Sequence, residues 1–539
     1  MIDFPHILTN GDAKRMNITK RRDSFFIGAA FALFFLVSCY RLTMSALWFD
    51  EAIEYWYSKV LTGPLPFSQT ANMYERIITT LQPPLYNVLL YFWLKVSDTE
   101  WWFRFFGVVM GFLGMIGLYK TVKRLSGKAW FGAAAVCGAS CVYRLAFYWQ
   151  EAAEYCLMLG SLFWTVYAWF LLTERPTRKR MIFFTLSAIV PIYSQYGAAF
   201  PAIALSLSAF LCVPNWRRKL ELFGWYAAAV AVAGAPLWFL FMKKQLPMQR
   251  GGTFSADALT FNGGFLRDNL RNLMTVFRWN LTPDYSAMSA RLLLGLILLL
   301  TLAVFIWGRR QSRAFIVGNV LTWLFYYFAV KLGVYADMSY GGFGNRYNLF
   351  FLPLWLPLAA LLVWETARIL SEESVLEKRG VPALCIGAAL MFVACSCVYS
   401  WNTRLRPNWI KDDIREAVHQ WYDAGGPDET TLVYYAANGG FAYYVRMTPG
   451  YTAHTEDRVT YMDWYEGQSG EAYREYLNGL YGSAWPDTVY IVSDHNNDDL
   501  YTILDEFRAD GYDAEELYNY DEGARLIRLR SASAGEIQS

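Results

Sequence analysis

The sequence predicts a polytopic α-helical membrane protein that ends in a small soluble α/β domain. Three observations predict it. Of 539 residues, 55% are hydrophobic and only 17% charged, against about a quarter charged in ordinary soluble chains. Apolar runs of roughly twenty residues recur along the first 400 positions, the length at which a helix crosses a bilayer with its backbone bonds satisfied internally. The charge is also split. Residues 401–539 hold 25 acidic and 11 basic side chains, a net of −14, which leaves about +16 of the total +2 for residues 1–400. This pattern excludes a disordered chain, a collagen-like fibre and a nucleic-acid binder. The cysteines (Cys39, Cys137, Cys141, Cys156, Cys212, Cys385, Cys395 and Cys397) all fall in apolar runs. None of their spacings resembles a zinc site or a disulfide framework.

Taken in order, the candidate spans are 24–46, 101–122, 128–149, 152–173, 181–196, 197–213, 221–242, 289–308, 314–333, 347–369 and 381–400. The first is too long for a signal peptide and lacks a small-residue cleavage site. Lys14, Arg15, Lys20, Arg21 and Arg22 precede it, which assigns the N-terminus to the cytoplasm. Residues 84–97 are too short to span and read as an interfacial helix. With that choice every second loop is basic, from Lys120–Lys128 through Arg175–Arg180, Arg217–Lys219 and Arg309–Arg313 to Arg368–Arg379. The result is eleven spans in a plasma or inner membrane, a domain 1–400, and an extracytoplasmic domain 401–539. One external segment, 243–288, dissents with Lys243, Lys244, Arg250, Arg267, Arg271 and Arg278. Long loops obey the charge rule weakly, and these cations are available to an anion. In the tail, Ile410–Tyr422 and Leu500–Asp510 read as helices, and Thr431–Tyr435, Thr488–Ser493 and Arg525–Arg530 as strands. No internal repeat and no catalytic motif stands out there.

That topology puts the polar features on one side. Asp50 and Glu51 follow the first span, and Gln82-Pro83-Pro84-Leu85-Tyr86 opens the interfacial helix. Arg104 stands at the mouth of the second span, and Glu151 and Glu154 lie between the third and fourth. Arg346-Tyr347, preceded by Gly341–Gly344, heads the tenth. Each has a plain structural reading. A carboxylate beyond a span is commonly a helix cap, and an arginine there commonly snorkels to the headgroups. His454 and His495 read as surface histidines. It is the order and the shared side that point to a site, because ionisable groups next to lipid are costly.

The order Asp50-Glu51, Pro83-Pro84-Leu85-Tyr86, Arg104, a basic turn at Lys120–Lys128, Glu151-Ala152-Ala153-Glu154-Tyr155 and Arg346-Tyr347 before Pro353 and Pro357 resembles the GT-C class of membrane glycosyltransferases. It looks closest to the family of protein O-mannosyltransferases and lipid A aminoarabinose transferases, over roughly residues 24–370. One position departs: the arginine of the family's Glu-Ala-Arg-x-Tyr element is Ala153 here. Arg144, nine residues earlier and about 13 Å along a helix, is too far to replace it. Arg346, Arg278 and Arg76 are better placed to hold a phosphate.

The resemblance implies a polyprenyl-phosphate sugar donor and a glycan, wall-polymer, lipid or protein acceptor, with inversion at the transferred carbon. Within it, Asp50 is the expected general base, since an acceptor hydroxyl needs a carboxylate to take its proton. The leaving group is already anionic and needs positive charge rather than an acid. Arg346, with its planar fork, fits that need, and Tyr347 would pack on the sugar. Glu51 and Glu151 would orient hydroxyls, and Arg104 and Arg278 complete the expected substrate-binding set. No cofactor is required. A divalent cation between Asp50, Glu51 and Glu151 is conceivable. The rival class is a transporter or flippase without bond-making chemistry, whose signs would be repeats and mid-membrane ionisable groups. A scaffold whose acidic domain binds partners is the third reading.

Overall fold

The computed structural model describes residues 10–59, 72–249, 265–281, 287–335, 344–372, 413–448, 457–462, 469–482, 485–494, 498–520 and 523–532. The chain divides into two compact units. One comprises Met1–Tyr40, Thr80–Tyr86 and Arg104–Arg406, and the other Arg41–Thr79, Asn87–Phe103 and Pro407–Ser539. The unit that holds the acidic tail therefore also takes in most of the segment between the first two long helices, which the sequence reading grouped with the membrane body.

The first unit is helical. Its elements are α1 (Asn10–Cys39), then, after α2 (Phe49–Lys59), α3 (Met73–Thr79) and α4 (Leu85–Trp93), the long α5 (Glu100–Ser126), α6 (Ala129–Ser140), α7 (Tyr143–Gln150), α8 (Tyr155–Glu174), α9 (Arg178–Ile192) and α10 (Ala199–Ala209). Next come α11 (Trp216–Met248, with π-helical turns at Val230–Gly234 and Trp238–Met242), α12 (Phe265–Leu281), α13 (Ala287–Trp307), α14 (Arg310–Lys331) and α15 (Leu352–Glu372). Among the described residues seven helices are long and apolar enough to cross a membrane: the Arg21–Cys39 part of α1, α5, α8, α11, Met288–Trp307, α14 and Arg346–Leu370. Their packing centre joins Trp169 and Phe170 of α8 to Phe184, Leu205, Phe315 and Leu361. Trp169 also donates its indole N–H to the Leu205 carbonyl at 2.9 Å.

Several expected spans take a different form. The run 128–149 is a broken pair, α6 and α7, bent by 72°. The break falls where Val142 leaves helical geometry at ψ 117°. The runs 181–196 and 197–213 become α9, 15 residues long, and the short Tyr196–Ala209 helix. They are separated at Gln195, whose backbone is extended (φ −156°, ψ 131°). α4 has nine residues, too few to span. The eleventh candidate, 381–400, Gly341 and Gly342, and His454 and His495 lie outside the described residues.

Close helix approach in this unit rests on glycine, as is usual where lipid supplies no hydrophobic drive between helices. A Cβ on Gly107 would stand 2.7 Å from the Trp149 carbonyl oxygen and 3.4 Å from that of Glu151. One on Gly160 would stand 2.5 Å from the Met110 carbonyl oxygen. α5 thereby lies directly against the turn that carries Glu151.

The second unit contains α16 (Ile414–Asp423), β1 (Thr430–Val433), α17 (Asn438–Met447), β2 (Val459–Tyr461), α18 (Gly470–Tyr481), β3 (Thr488–Ser493), α19 (Asp498–Ala509), β4 (Tyr512–Asn519) and β5 (Arg525–Ser531). The strands form one sheet in the order β2-β1-β3-β5-β4. β1 is parallel to β2 and β3, with Leu432 opposite Ile491, while β5 is antiparallel to β3 and β4. Leu432, Val489, Ile491 and Leu529 face Leu500, Ile503, Leu504 and Phe507 of α19 and Tyr473 and Leu477 of α18. β4 is an exposed, acidic edge strand whose Glu515 pairs with Arg528 across the ladder, a charged edge that discourages further pairing.

Within the same unit the α/β domain is joined to α2 and the residues before it. The Leu47 N–H donates to the Tyr444 hydroxyl at 2.7 Å, and that hydroxyl donates to Glu100 at 3.0 Å. Arg415 pairs with Glu100 at 3.3 Å and donates to the carbonyls of Thr43 (3.0 Å) and Met44 (3.2 Å). The Trp56 indole donates to the Gly439 carbonyl at 3.0 Å. The rings of Tyr55 and Tyr443 meet edge-on at 4.9 Å, and Phe49 meets Tyr435 at 5.3 Å. Trp93 and Trp102 stack at 4.2 Å and exchange indole N–H bonds with each other's carbonyl.

Candidate active site

In the second unit Asp50 and Glu51 occupy the first turn of α2, where the partial positive charge of a helix N-terminus favours carboxylates. Glu51 is almost wholly buried, and the Trp48 N–H points at its Oε2 at 3.5 Å. This is the returning half of a capping box, so Glu51 helps to define where α2 begins. Asp50 beside it is half-buried. One turn on, Glu54 is buried and accepts from Asn87, which also reaches Ser58 at 3.3 Å. Glu54 was not singled out from the sequence, although its i+4 relation to Asp50 in Asp-Glu-Ala-Ile-Glu was a readable signal. Arg76, considered from the sequence as a phosphate ligand, is fully buried and donates to the Trp56 carbonyl at 2.9 Å. Burial pulls its guanidinium below the ordinary arginine value, with the Tyr57 phenol opposing the shift. It is anchored to α2.

In the first unit the bend between α6 and α7 sets up a polar cluster. Gln150, at the end of α7, donates to the Val37 carbonyl at 3.0 Å and the Tyr40 carbonyl at 3.1 Å, two of the acceptors that the end of α1 leaves open. Glu151 then closes α7 in extended geometry, and Glu154 leads into α8; both are buried. Tyr148 and Tyr155 meet with ring centroids 5.1 Å apart. The charges of Glu151, Arg144 and Arg346 act on the Tyr148 hydroxyl, and those of Glu154 and Arg346, with Tyr347, on Tyr155. The structure therefore places Glu151, Glu154, Arg346 and Tyr347 within electrostatic range of Tyr148, which the sequence reading did not name, and of Tyr155, which it quoted without a role.

Arg346 and Tyr347 are held there by the Gln195 break. The Gln195 side-chain amide donates to the Tyr335 hydroxyl at 2.8 Å, and that hydroxyl donates to the Tyr347 carbonyl at 3.0 Å. Gly197 lies directly under the Tyr335 hydroxyl, with no room for a side chain. The Arg346 guanidinium sits 5.5 Å from the Tyr347 ring centroid, at cation–π range. Arg144 is a strut: its Nε donates to the Trp279 carbonyl at 3.2 Å.

The two remaining candidates stand elsewhere. Arg104 is buried in α5. Arg278 lies on the exposed face of α12, in a groove with Arg267, Arg271 and Arg291. Its neighbours Trp279 and Asn280 connect the helix to the cluster, Trp279 by accepting from Arg144 and Asn280 by donating to Asn348 Oδ1 at 2.6 Å. Among the described residues no three His, Cys, Asp or Glu side chains converge on a possible cation site.

Arginine, carboxylates and two tyrosines that meet edge to face thus lie near one another in the first unit, and comparison with known proteins bears on its fold. Residues 81–239 match the model of the family described as dolichyl-phosphate-mannose-protein mannosyltransferase. No curated protein matches the chain closely enough in sequence to count as a relative. Among solved structures, ArnT from Cupriavidus metallidurans bound to undecaprenyl phosphate is similar, with a TM-score of 0.54, 13% identity, and 95% of this chain and 98% of that one covered. Its apo form matches with the same TM-score and coverage at 12% identity. An oligosaccharyltransferase from Archaeoglobus fulgidus gives a TM-score of 0.49 at 12% identity, covering 90% of this chain and 70% of its own. The fold of this chain is the GT-C fold of membrane glycosyltransferases.

Proposed function

We propose that this protein transfers a sugar from a polyprenyl-phosphate carrier to an acceptor hydroxyl at the outer face of the membrane, with inversion. The N-terminus is cytoplasmic, the chain crosses the bilayer eleven times, and the domain 401–539 is extracytoplasmic. The observation that carries the proposal is the gathering of Arg346, Tyr347, Glu151 and Glu154 around Tyr148 and Tyr155. The undecaprenyl phosphate bound to the structurally similar ArnT supports a lipid-phosphate donor.

In this reading the acceptor oxygen forms a bond to the anomeric carbon as the bond from that carbon to the phosphate oxygen breaks. The electron pair leaves on the phosphate, and Asp50 takes the acceptor proton. Arg346 binds the phosphate oxygens as their charge grows, a role suited to a guanidinium fork. Glu151 orients sugar hydroxyls, and the rings of Tyr148 and Tyr347 pack on the sugar. Glu51 acts through α2, by fixing the turn on which Asp50 rides. Arg104 and Glu54 are assigned to positioning.

The test uses the full chain in lipid nanodiscs with a radiolabelled polyprenyl-phosphate sugar and a hydroxyl acceptor. The wild type is expected to consume donor. Asp50→Asn should lower kcat by about 10²–10⁴, the usual contribution of a positioned base, while Arg346→Ala should act mainly on donor KM. Wild-type turnover in Asp50→Asn would refute the base assignment. Movement of carrier without cleavage would replace the enzyme by a transporter.

A further inference from the structure

Three arginines of 243–288, the segment that runs against the charge rule and whose cations the sequence reading left available to an anion, line one groove. A groove of about 670 Å³ lies between α12 and the start of α13. It is lined by Arg267, Arg271 and Arg278 with Leu270, Met274, Thr275 and Trp279 from α12, and by Arg291, Leu294, Gly295 and Leu298 from α13. The three α12 arginines are four and eleven residues apart, which puts them within about 40° of one another around the helix. Among the described residues none of the four arginines makes an ion pair with a carboxylate. Four guanidinium groups thus share one opening.

The α13 side of the groove is made for hydrocarbon. Arg291 is followed on the same face of α13 by Leu294, Gly295 and Leu298, in the most apolar spanning helix, whose mean hydropathy is 2.4 and of which only 17% is buried by protein. Gly295 makes a notch in that wall, since a Cβ built there would meet nothing within 4 Å. Arginines on one side of the groove and an apolar helix on the other are complementary to a lipid with an anionic head.

We propose that this groove binds an anionic phospholipid whose headgroup carries two phosphates, with the phosphates among Arg267, Arg271, Arg278 and Arg291 and an acyl chain lying over Gly295. Four cations match two phosphates better than the single phosphate of a polyprenyl carrier. The carrier's phosphate has its own cation in Arg346, which does not line this groove. The site is independent of the transfer reaction and is tested without it.

The experiment is native mass spectrometry of the full chain, released from detergent after equilibration with cardiolipin, with phosphatidylcholine or with undecaprenyl phosphate. The wild type is expected to retain cardiolipin in preference to phosphatidylcholine. Replacing both Arg267 and Arg271 with Gln should weaken cardiolipin retention about thirtyfold, at the usual increment per arginine near a membrane surface. Gly295→Phe fills the notch from a position that faces open space, so it should leave the thermal midpoint of the delipidated protein unchanged and still reduce retention. If the arginine pair does not fold, Gly295→Phe alone decides. Equal retention of cardiolipin by wild type and Gly295→Phe overturns the proposal. So does loss of undecaprenyl phosphate, rather than cardiolipin, from the same variants.

Discussion

Tyr444→Phe removes one oxygen from the knot that joins the α/β domain to the residues before α2, and its effect can be worked from the geometry. The Tyr444 hydroxyl accepts from the Leu47 N–H at 2.7 Å and donates to Glu100 at 3.0 Å. Leu47 is fully buried, so its N–H loses its partner out of reach of water, at a cost of about 1–3 kcal/mol. The bond to Glu100 is charge-assisted, but Arg415 still pairs with that carboxylate, so its loss adds little. The ring keeps its packing in phenylalanine. The net is about 2 kcal/mol, concentrated in the segment before α2. Hydrogen exchange reads that quantity directly as a local opening free energy. The Leu47 amide should exchange about thirtyfold faster in Tyr444→Phe, while the amides of β3 keep their wild-type protection. If Leu47 exchange is unchanged, the hydroxyl does not anchor the segment. If β3 accelerates equally, the effect is global and the local account is wrong.

Gly107→Val puts a branched side chain against the Trp149 and Glu151 carbonyls, where even a Cβ would approach to 2.7 Å. Backbone cannot swing aside, so overpacking should cost about 2–3 kcal/mol and lower Tm, whereas Gly224→Ala, with nothing within 4 Å, should leave Tm unchanged or slightly raised. Tyr335→Phe keeps the ring but removes the link from Gln195 to the Tyr347 carbonyl. A bond of about 1 kcal/mol acting on the Arg346 segment should raise donor KM roughly fivefold with kcat near wild type, as read in the radiolabelled donor assay.

What the sequence made legible follows the physics that each feature rests on. Bilayer thickness imposes a length and a composition, so the long spans could be read from apolar runs, and the carboxylates and arginines beside them from their order. β3, buried along its length, carried a continuous apolar run and was placed at Thr488–Ser493, the bounds it has in the structure. The charged edge strand β4 carried no such run, because its side chains face solvent and its stability comes from the ladder with β5. The spacing of Glu54 from Asp50 was readable, but its partner was not. Its importance lies in Asn87, 33 positions away, and a single chain records no partner.

The cluster around Tyr148 and Tyr155 shows how local geometry decides what an ordered set of residues becomes. Glu151 and Arg346 could be nominated from sequence, but the means of bringing them together could not. One means is a 72° bend at Val142, written in no proline or glycine at the break. Another is an extended Gln195 that breaks a run of apolar residues, and its side chain reaches Tyr335 140 positions away. The third is a glycine in α5 whose missing side chain admits the Trp149 carbonyl. All three are irregularities in otherwise regular helices, where backbone groups at membrane depth must be re-satisfied by neighbours. Gln150 on the open end of α1 and Arg144 on the Trp279 carbonyl are such neighbours. The same side chains that repair the broken helices therefore also hold the polar cluster in place, so a substitution at Gln150 or Gln195 should be felt at Arg346 before it is felt in the core around Trp169.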